Sequence, residues 1–134
     1  MIVVALDGPS GSGKSSTSKA IAIRAGWNYL DTGALYRAMT FLALSIKSEN
    51  PKDIIAAVID KPITFVSDPR DPKVFLDGKD ISKEIRSHEV TEKVSVISAL
   101  AEVRAELLTL QRAIIKKAER GIVVEGREIG TVVC

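Results

Sequence analysis

The sequence predicts an α/β fold built on a parallel sheet, interrupted by a small antiparallel insert. Three observations carry this. Ile2-Val3-Val4-Ala5-Leu6 and Ile122-Val123-Val124 are continuous apolar runs, the pattern of parallel strands covered on both faces. Helix-compatible composition follows the first run, and helical periodicity precedes the second. Two β-type runs at 63–66 and 73–76, joined and followed by turn residues, break the alternation in the middle of the chain.

The elements follow in order. Residues 2–6 form the first strand, and 16–25 have helix-compatible composition. Gly26 is placed to cap that helix, since the left-handed conformation of a C-cap carries no Cβ penalty in glycine. Trp27-Asn28-Tyr29-Leu30 reads as a short strand, and Asp31-Thr32-Gly33 as a turn with an N-cap residue. A helix is expected over 34–46, because Leu35, Met39, Leu42 and Ile46 recur at spacings of four, three and four. Asn50-Pro51 breaks it, and 51–60 carries Ile54, Ile55, Val58 and Ile59 on a second short helix. Strands at 63–66 and 73–76 flank the loop Asp68-Pro69-Arg70-Asp71-Pro72. Asp77-Gly78 signals a hairpin turn into a third short strand at 79–81. Residues 82–120 read as helical, with Leu100, Val103, Leu107, Leu110 and Ile114 on the buried stripe and an interruption or cap at Ser95 or Ser98. Gly121 is expected to stop that helix before the strand at 122–124.

The first strand runs into Gly8-Pro9-Ser10-Gly11-Ser12-Gly13-Lys14-Ser15, which fits the phosphate-binding loop G-x-x-x-x-G-K-[ST]. Strand, glycine loop and helix are what the chemistry needs. Backbone N–H groups curl around phosphate oxygens where no Cβ intervenes, and the helix N-terminus adds partial positive charge. Lys14 supplies a point charge for the outer phosphates, and the Ser15 hydroxyl is a ligand for Mg²⁺. Nucleotide phosphate binding is therefore expected of Gly8, Pro9, Ser10, Gly11, Ser12, Gly13, Lys14, Ser15 and Ser16.

Composition narrows the alternatives. The 134 residues suffice for one domain, and 46% hydrophobic with 27% charged residues is ordinary for a soluble protein. A net charge of +2 is too weak to argue for a nucleic-acid surface. The one cysteine, Cys134, reads as a small hydrophobe; it excludes a disulfide framework within the chain and suits a reducing cytosol. No apolar run has the length of a membrane span, and the N-terminus lacks the basic region of a signal peptide. The apolar end Thr131-Val132-Val133-Cys134 has no polar terminator.

In open α/β sheets ligands sit beyond the carboxyl ends of the strands. Three polar clusters fall there: residues 7–15, 31–37 and 125–128. Arg37 and Arg127 suit a second phosphate, since a guanidinium matches phosphate oxygens bidentately; otherwise each pairs with Asp31 or Glu125 at the surface. Tyr36 either stacks on a base or fills the core. Glu128 either accepts from an exocyclic amine or is a solvated charge. His88, the one histidine, reads as an exposed bystander. With no His and Cys ligand cluster, a hard cation such as Mg²⁺ is the metal expected.

Three segments together resemble bacterial cytidylate kinases: Ala5-Leu6-Asp7-Gly8-Pro9-Ser10-Gly11-Ser12-Gly13-Lys14-Ser15, Leu30-Asp31-Thr32-Gly33-Ala34-Leu35-Tyr36-Arg37 and Glu125-Gly126-Arg127-Glu128-Ile129-Gly130-Thr131-Val132-Val133. The resemblance spans nearly the whole chain. It implies the three-layer P-loop NTPase fold, with residues 1–50 and 95–134 as the kinase core and 51–94 as the insert that binds the nucleoside monophosphate. The implied reaction is transfer of the ATP γ-phosphoryl group to CMP or dCMP, with Lys14, Arg37 and Arg127 catalytic. Thr32, Arg37 and Arg127 would hold the acceptor's phosphate, with Tyr36 on the acceptor side. Ser95, Arg104 and Glu128 would read the cytosine, and Glu128 stands where the family usually has Asp. ATP and Mg²⁺ are the implied cofactors.

The expected partners are the small nucleotides ATP, CMP and dCMP, with no nucleic acid and no membrane, for a cytoplasmic protein that is monomeric at full length. The family continues past Gly-Thr-Val-Val into another strand, an Arg-rich lid and a final strand and helix, so this chain by itself is expected to be a poor catalyst. Two alternatives stay open: a P-loop kinase of another small acceptor, such as adenylate or shikimate, and a non-catalytic nucleotide-binding fragment.

Overall fold

A computed structural model describes residues 1–8 and 13–126. It is mixed α/β and divides into two compact units: residues 1–33, 66–72 and 108–134, and residues 34–65 and 73–107.

The first unit holds a parallel sheet. Its strands are β1 (Ile2–Asp7), β2 (Asn28–Asp31) and β6 (Gly121–Gly126), in the order β1-β6-β2. The register pairs Leu6 and Asp31 with Glu125, and Asp7 with Gly126, so the three strands end level with one another. That alignment carries residues 7, 31 and 125 to one edge, as expected of the polar clusters. Helix α1 (Lys14–Ala25) packs on this sheet, burying Ser18 and Ala22. Gly26 caps it at φ 75°, its N–H donating to the Ala22 and Ile23 carbonyls, as predicted.

Ile122, Val123 and Val124 are fully buried, which fits a strand paired on both sides. Strand β1 differs from expectation. Among the described residues it pairs only with β6, and its side chains are half-exposed, Ile2 to 56%. Gly121 also differs: it does not stop the preceding helix but opens β6. A Cβ there would stand 2.7 Å from the Trp27 ring and 3.0 Å from the Ile2 carbonyl oxygen, so glycine is required by the close approach of that ring.

The second unit is built around α2 (Thr32–Ile46), α3 (Pro51–Asp60), α4 (His88–Ser98), α5 (Ala101–Lys117) and a small antiparallel sheet; α2 and α5 cross the division between the units. Leu35, Met39 and Leu42 on α2 are buried, as their spacing predicts. Asn50 caps α3 through its side-chain oxygen, which accepts from the Lys52 N–H at 2.9 Å, with Pro51 at the first helical position. The small sheet runs β3 (Ile63–Val66), β4 (Lys73–Leu76), β5 (Lys79–Asp80), the last two antiparallel. Asp77 and Gly78 both have positive φ, the mark of the tight hairpin turn expected from that dipeptide.

Three local expectations change. There is no separate turn at 31–33: α2 starts at Thr32, directly after β2. The helical stretch from 82 onward is a 3-10 turn (Glu84–Arg86), then α4, then α5, broken at Ala99 and Leu100. The interruption expected at Ser95 or Ser98 falls directly after Ser98, where α4 ends; Ser95 lies inside α4, and the N-cap of α4 is Ser87, which accepts from the Val90 N–H at 3.3 Å. On α5 Val103 and Leu107 are buried as their spacing predicts, but the next buried position is Gln111, while Leu110 is half-exposed.

Candidate functional site

The carboxyl edge of the parallel sheet carries the first cluster. Glu125, the fifth residue of β6, is 4% exposed. Its carboxylate oxygen Oε1 accepts from the Ser15 hydroxyl at 2.8 Å and from the Tyr29 hydroxyl. Ser15 Oγ and the Tyr29 hydroxyl are 3.3 Å apart, which closes a three-residue cluster. Strand geometry explains it. Tyr29 pairs with Val123 in register, and Glu125 lies two residues on, hence on the same face. Helix α1 covers the sheet and brings Ser15 to that face from its first turn.

Burial pushes the Tyr29 hydroxyl above its ordinary range. The charge of Asp31 and the bond to Glu125 push the same way. The phenol therefore remains a protonated donor to the carboxylate. The Lys19 ammonium lies 5.8 Å from the centre of the Tyr29 ring, within cation–π range.

Lys14 sits at the same edge. Its Nζ donates to the carbonyl of Gly8, the residue after β1, and, at 3.4 Å, to that of Gly126, the last residue of β6. Gly8 N–H also donates to Gly126 O at 3.2 Å, tying the start of the loop to β6. Gly13 precedes α1 at φ 77°, and Ser16 is exposed on the first turn. Thr32, buried at the start of α2, donates its hydroxyl to the Glu125 carbonyl at 2.9 Å. The sheet edge thus gathers Gly8, Lys14, Ser15 and Thr32 of the expected residues around Glu125. Pro9, Ser10, Gly11, Ser12, Arg127, Glu128 and Cys134 lie outside the described residues.

The oxygens of Ser15 and Glu125 suit a hard cation. Mg²⁺ bound to nucleotide phosphates takes only one or two carboxylates from a protein, so this pair fits it. Among the described residues no group of three or more His, Cys, Asp or Glu is placed to hold a metal. No helix among them is long and apolar enough to cross a membrane.

The second unit carries the other expected residues. Arg37 Nη1 donates to the Ile85 carbonyl at 3.1 Å and to the Thr91 hydroxyl at 2.9 Å. Tyr36 is half-buried. Ser95 on α4 and Arg104 on α5 are exposed, and among the described residues neither side chain makes a hydrogen bond or an ion pair. His88 is exposed and faces Glu92 one turn on, at 2.7 Å.

Sequence reasoning missed two participants, Tyr29 and the buried role of Glu125. Glu125 had a usable signal: an acidic residue directly after a strand of three apolar residues, in a chain with a phosphate loop. Tyr29 had none, because its partner is fixed by strand register.

The chain is similar to known proteins along almost its whole length. The family model described as cytidylate kinase matches residues 4–134. A cytidylate kinase of Streptomyces griseus subsp. griseus is 52% identical over 134 residues, covering 98% of this chain and 58% of its own length. The cytidylate kinases of Nocardia farcinica and Corynebacterium glutamicum are 52% and 50% identical, each covering 98% of this chain and 57% and 58% of their own lengths. This chain therefore spans a little under three fifths of the relatives it matches. With identity near one half along almost every residue, and a family match from the first strand onward, the chain belongs to the cytidylate kinase family.

Proposed function

We propose that the protein transfers the γ-phosphoryl group of ATP to CMP or dCMP. The observation that carries this reading is the Ser15–Glu125 contact beside Lys14, at the carboxyl edge of a parallel sheet, in a chain whose relatives are named cytidylate kinases. An oxygen of the acceptor's phosphate attacks the γ-phosphorus, the bond to the bridging oxygen breaks, and ADP leaves. Such transfer asks the protein mainly for positioning and charge stabilisation.

The roles divide as follows. The loop from Gly8 to Ser16, the Lys14 ammonium and the N-terminus of α1 bind the ATP phosphates. Ser15 and Glu125 hold Mg²⁺, which supplies charge neutralisation on those phosphates. Tyr29 keeps the Glu125 carboxylate turned toward Ser15. On the acceptor side, Thr32, Arg37 and Arg127 take the phosphate, and Ser95, Arg104 and Glu128 read the base, with Tyr36 nearby. Residues 51–94 serve as the acceptor-binding insert, and 1–50 with 95–134 as the kinase core. The full-length protein works in the cytoplasm as a monomer, with nucleotides and no nucleic acid as partners.

Titration of CMP, dCMP, UMP and AMP, with ADP release measured for each, tests this. CMP and dCMP are expected to bind more tightly and to drive ADP formation. Faster ADP formation with AMP or UMP overturns the acceptor assignment. Tight binding of ATP and CMP with no ADP release makes the chain a nucleotide-binding segment and not a catalyst.

A further inference from the structure

The Thr91 hydroxyl has one proton and two lone pairs. The proton goes to the Ser87 carbonyl at 2.9 Å, the same oxygen that accepts the Thr91 backbone N–H at 3.0 Å. The hydroxyl is therefore locked by its own helix, with its lone pairs turned outward. One of them accepts from Arg37 Nη1 at 2.9 Å. The same Nη1 donates to the Ile85 carbonyl at 3.1 Å, so both of its protons are committed. A planar guanidinium held at one nitrogen by two acceptors in different directions has its plane fixed. The protons on Nε and Nη2 then point where that plane dictates.

We propose that Thr91 is a positioning residue, whose hydroxyl sets the plane of the Arg37 guanidinium in which it meets the phosphate of a nucleoside monophosphate. The inference rests on the reading of Arg37 as a phosphate ligand. Thr91 touches neither nucleotide; it acts through Arg37. A second relationship supports the assignment. Thr91 and Ser95 are four residues apart on α4 and share one helical face. The face that orients the phosphate-binding Arg37 thus also carries Ser95, assigned to the base. A single helix then sets the spacing at which phosphate and base are read.

The test titrates CMP and cytidine into the full chain and into its Arg37→Ala, Thr91→Val and Thr91→Ser variants. Valine keeps the shape and removes the hydroxyl; serine keeps the hydroxyl. Arg37→Ala is expected to weaken CMP roughly ten- to a hundredfold. Thr91→Val is expected to weaken CMP about two- to tenfold, the scale of one partly solvated hydrogen bond. Cytidine, which has no phosphate, is expected to bind unchanged, and Thr91→Ser to restore CMP affinity. If Arg37→Ala loses CMP while Thr91→Val does not, the positioning role is overturned and the phosphate reading stands. Equal losses of CMP and cytidine in Thr91→Val make its role merely structural and overturn the proposal. If Arg37→Ala leaves CMP affinity intact, the phosphate reading falls and takes the inference with it.

Discussion

The Tyr29 hydroxyl donates to the Glu125 carboxylate, and that same carboxylate oxygen accepts from the Ser15 hydroxyl. Two donors from the N-terminal part of the chain share one acceptor, 110 and 96 residues away, at the edge of the sheet. The carboxylate is buried, so its two donors matter more than they would in water.

Two substitutions separate structure from cation binding. Glu125→Gln keeps an acceptor oxygen for both hydroxyls but removes the charge. It is expected to reduce the gain in ATP affinity that Mg²⁺ provides, with little change in ATP affinity without the ion. Tyr29→Phe removes one donor and is expected to cost about 1 kcal/mol of stability in urea unfolding. ATP titration with and without Mg²⁺ reads the first effect. An unchanged Mg²⁺ gain in Glu125→Gln would remove that residue from the cation site.

Lys14→Ala is expected to weaken ATP binding far more than CMP binding. Its ammonium sits between the carbonyls of Gly8 and Gly126, at the mouth of the phosphate loop. The residues assigned to CMP lie elsewhere in the chain. Calorimetric titration of both ligands decides it, and an equal loss for both would collapse the two sites into one.

How much of this was legible beforehand depends on the range of the interaction. The Gly26 cap, the Asn50-Pro51 helix start and the Asp77-Gly78 hairpin are local, and each residue type forces its backbone. The Tyr29–Glu125 bond was not legible, because it follows from the pairing of β2 with β6 across 96 residues. Gln111 misled in another way. Periodicity assigns the inward stripe to apolar residues, yet Gln111 is buried and Leu110 only half so. The Ser87 cap was hidden because Ser95 and Ser98 offered equally good chemistry nearby, and only the 3-10 turn before it shows where α4 begins. Arg37 was read as a phosphate ligand or a surface ion pair. Its bonds to Ile85 and Thr91 depend on packing that no spacing reports.

Asp80 gives a pH dependence with a definite sign. Its carboxylate accepts from the Ser82 N–H at 2.9 Å, and the Ser82 hydroxyl in turn accepts from the Val74 N–H at 3.0 Å. The bonds from Ser82 hold the Asp80 carboxyl below its usual range. A depressed folded-state value stabilises the clip above the unfolded value and is lost as pH falls through the folded one. The Ser82 amide resonance is therefore expected to titrate below the ordinary carboxylate midpoint, and Asp80→Asn to abolish that titration. A midpoint at or above the ordinary value would show that the bond does not favour the charged form.

Gly121→Ala tests the packing that seats β6. The added Cβ would meet two atoms of the Trp27 ring at 2.7 and 2.8 Å and the Ile2 carbonyl at 3.0 Å. Neither neighbour yields freely. Ile2 is paired with Gly121 in the β1–β6 register, and Trp27 is held by its N–H bond to the Ala22 carbonyl at 2.9 Å. Overpacking of this kind costs about 1–3 kcal/mol. Trp27 is the one tryptophan in the chain, so its fluorescence reports both the unfolding midpoint and any shift of the ring. The double variant Gly121→Ala with Trp27→Leu, whose smaller side chain vacates the space, is expected to recover part of the loss relative to Trp27→Leu alone. If the two substitutions are simply additive, the ring is not what excludes a side chain at position 121, and the strand backbone of Ile2 must be.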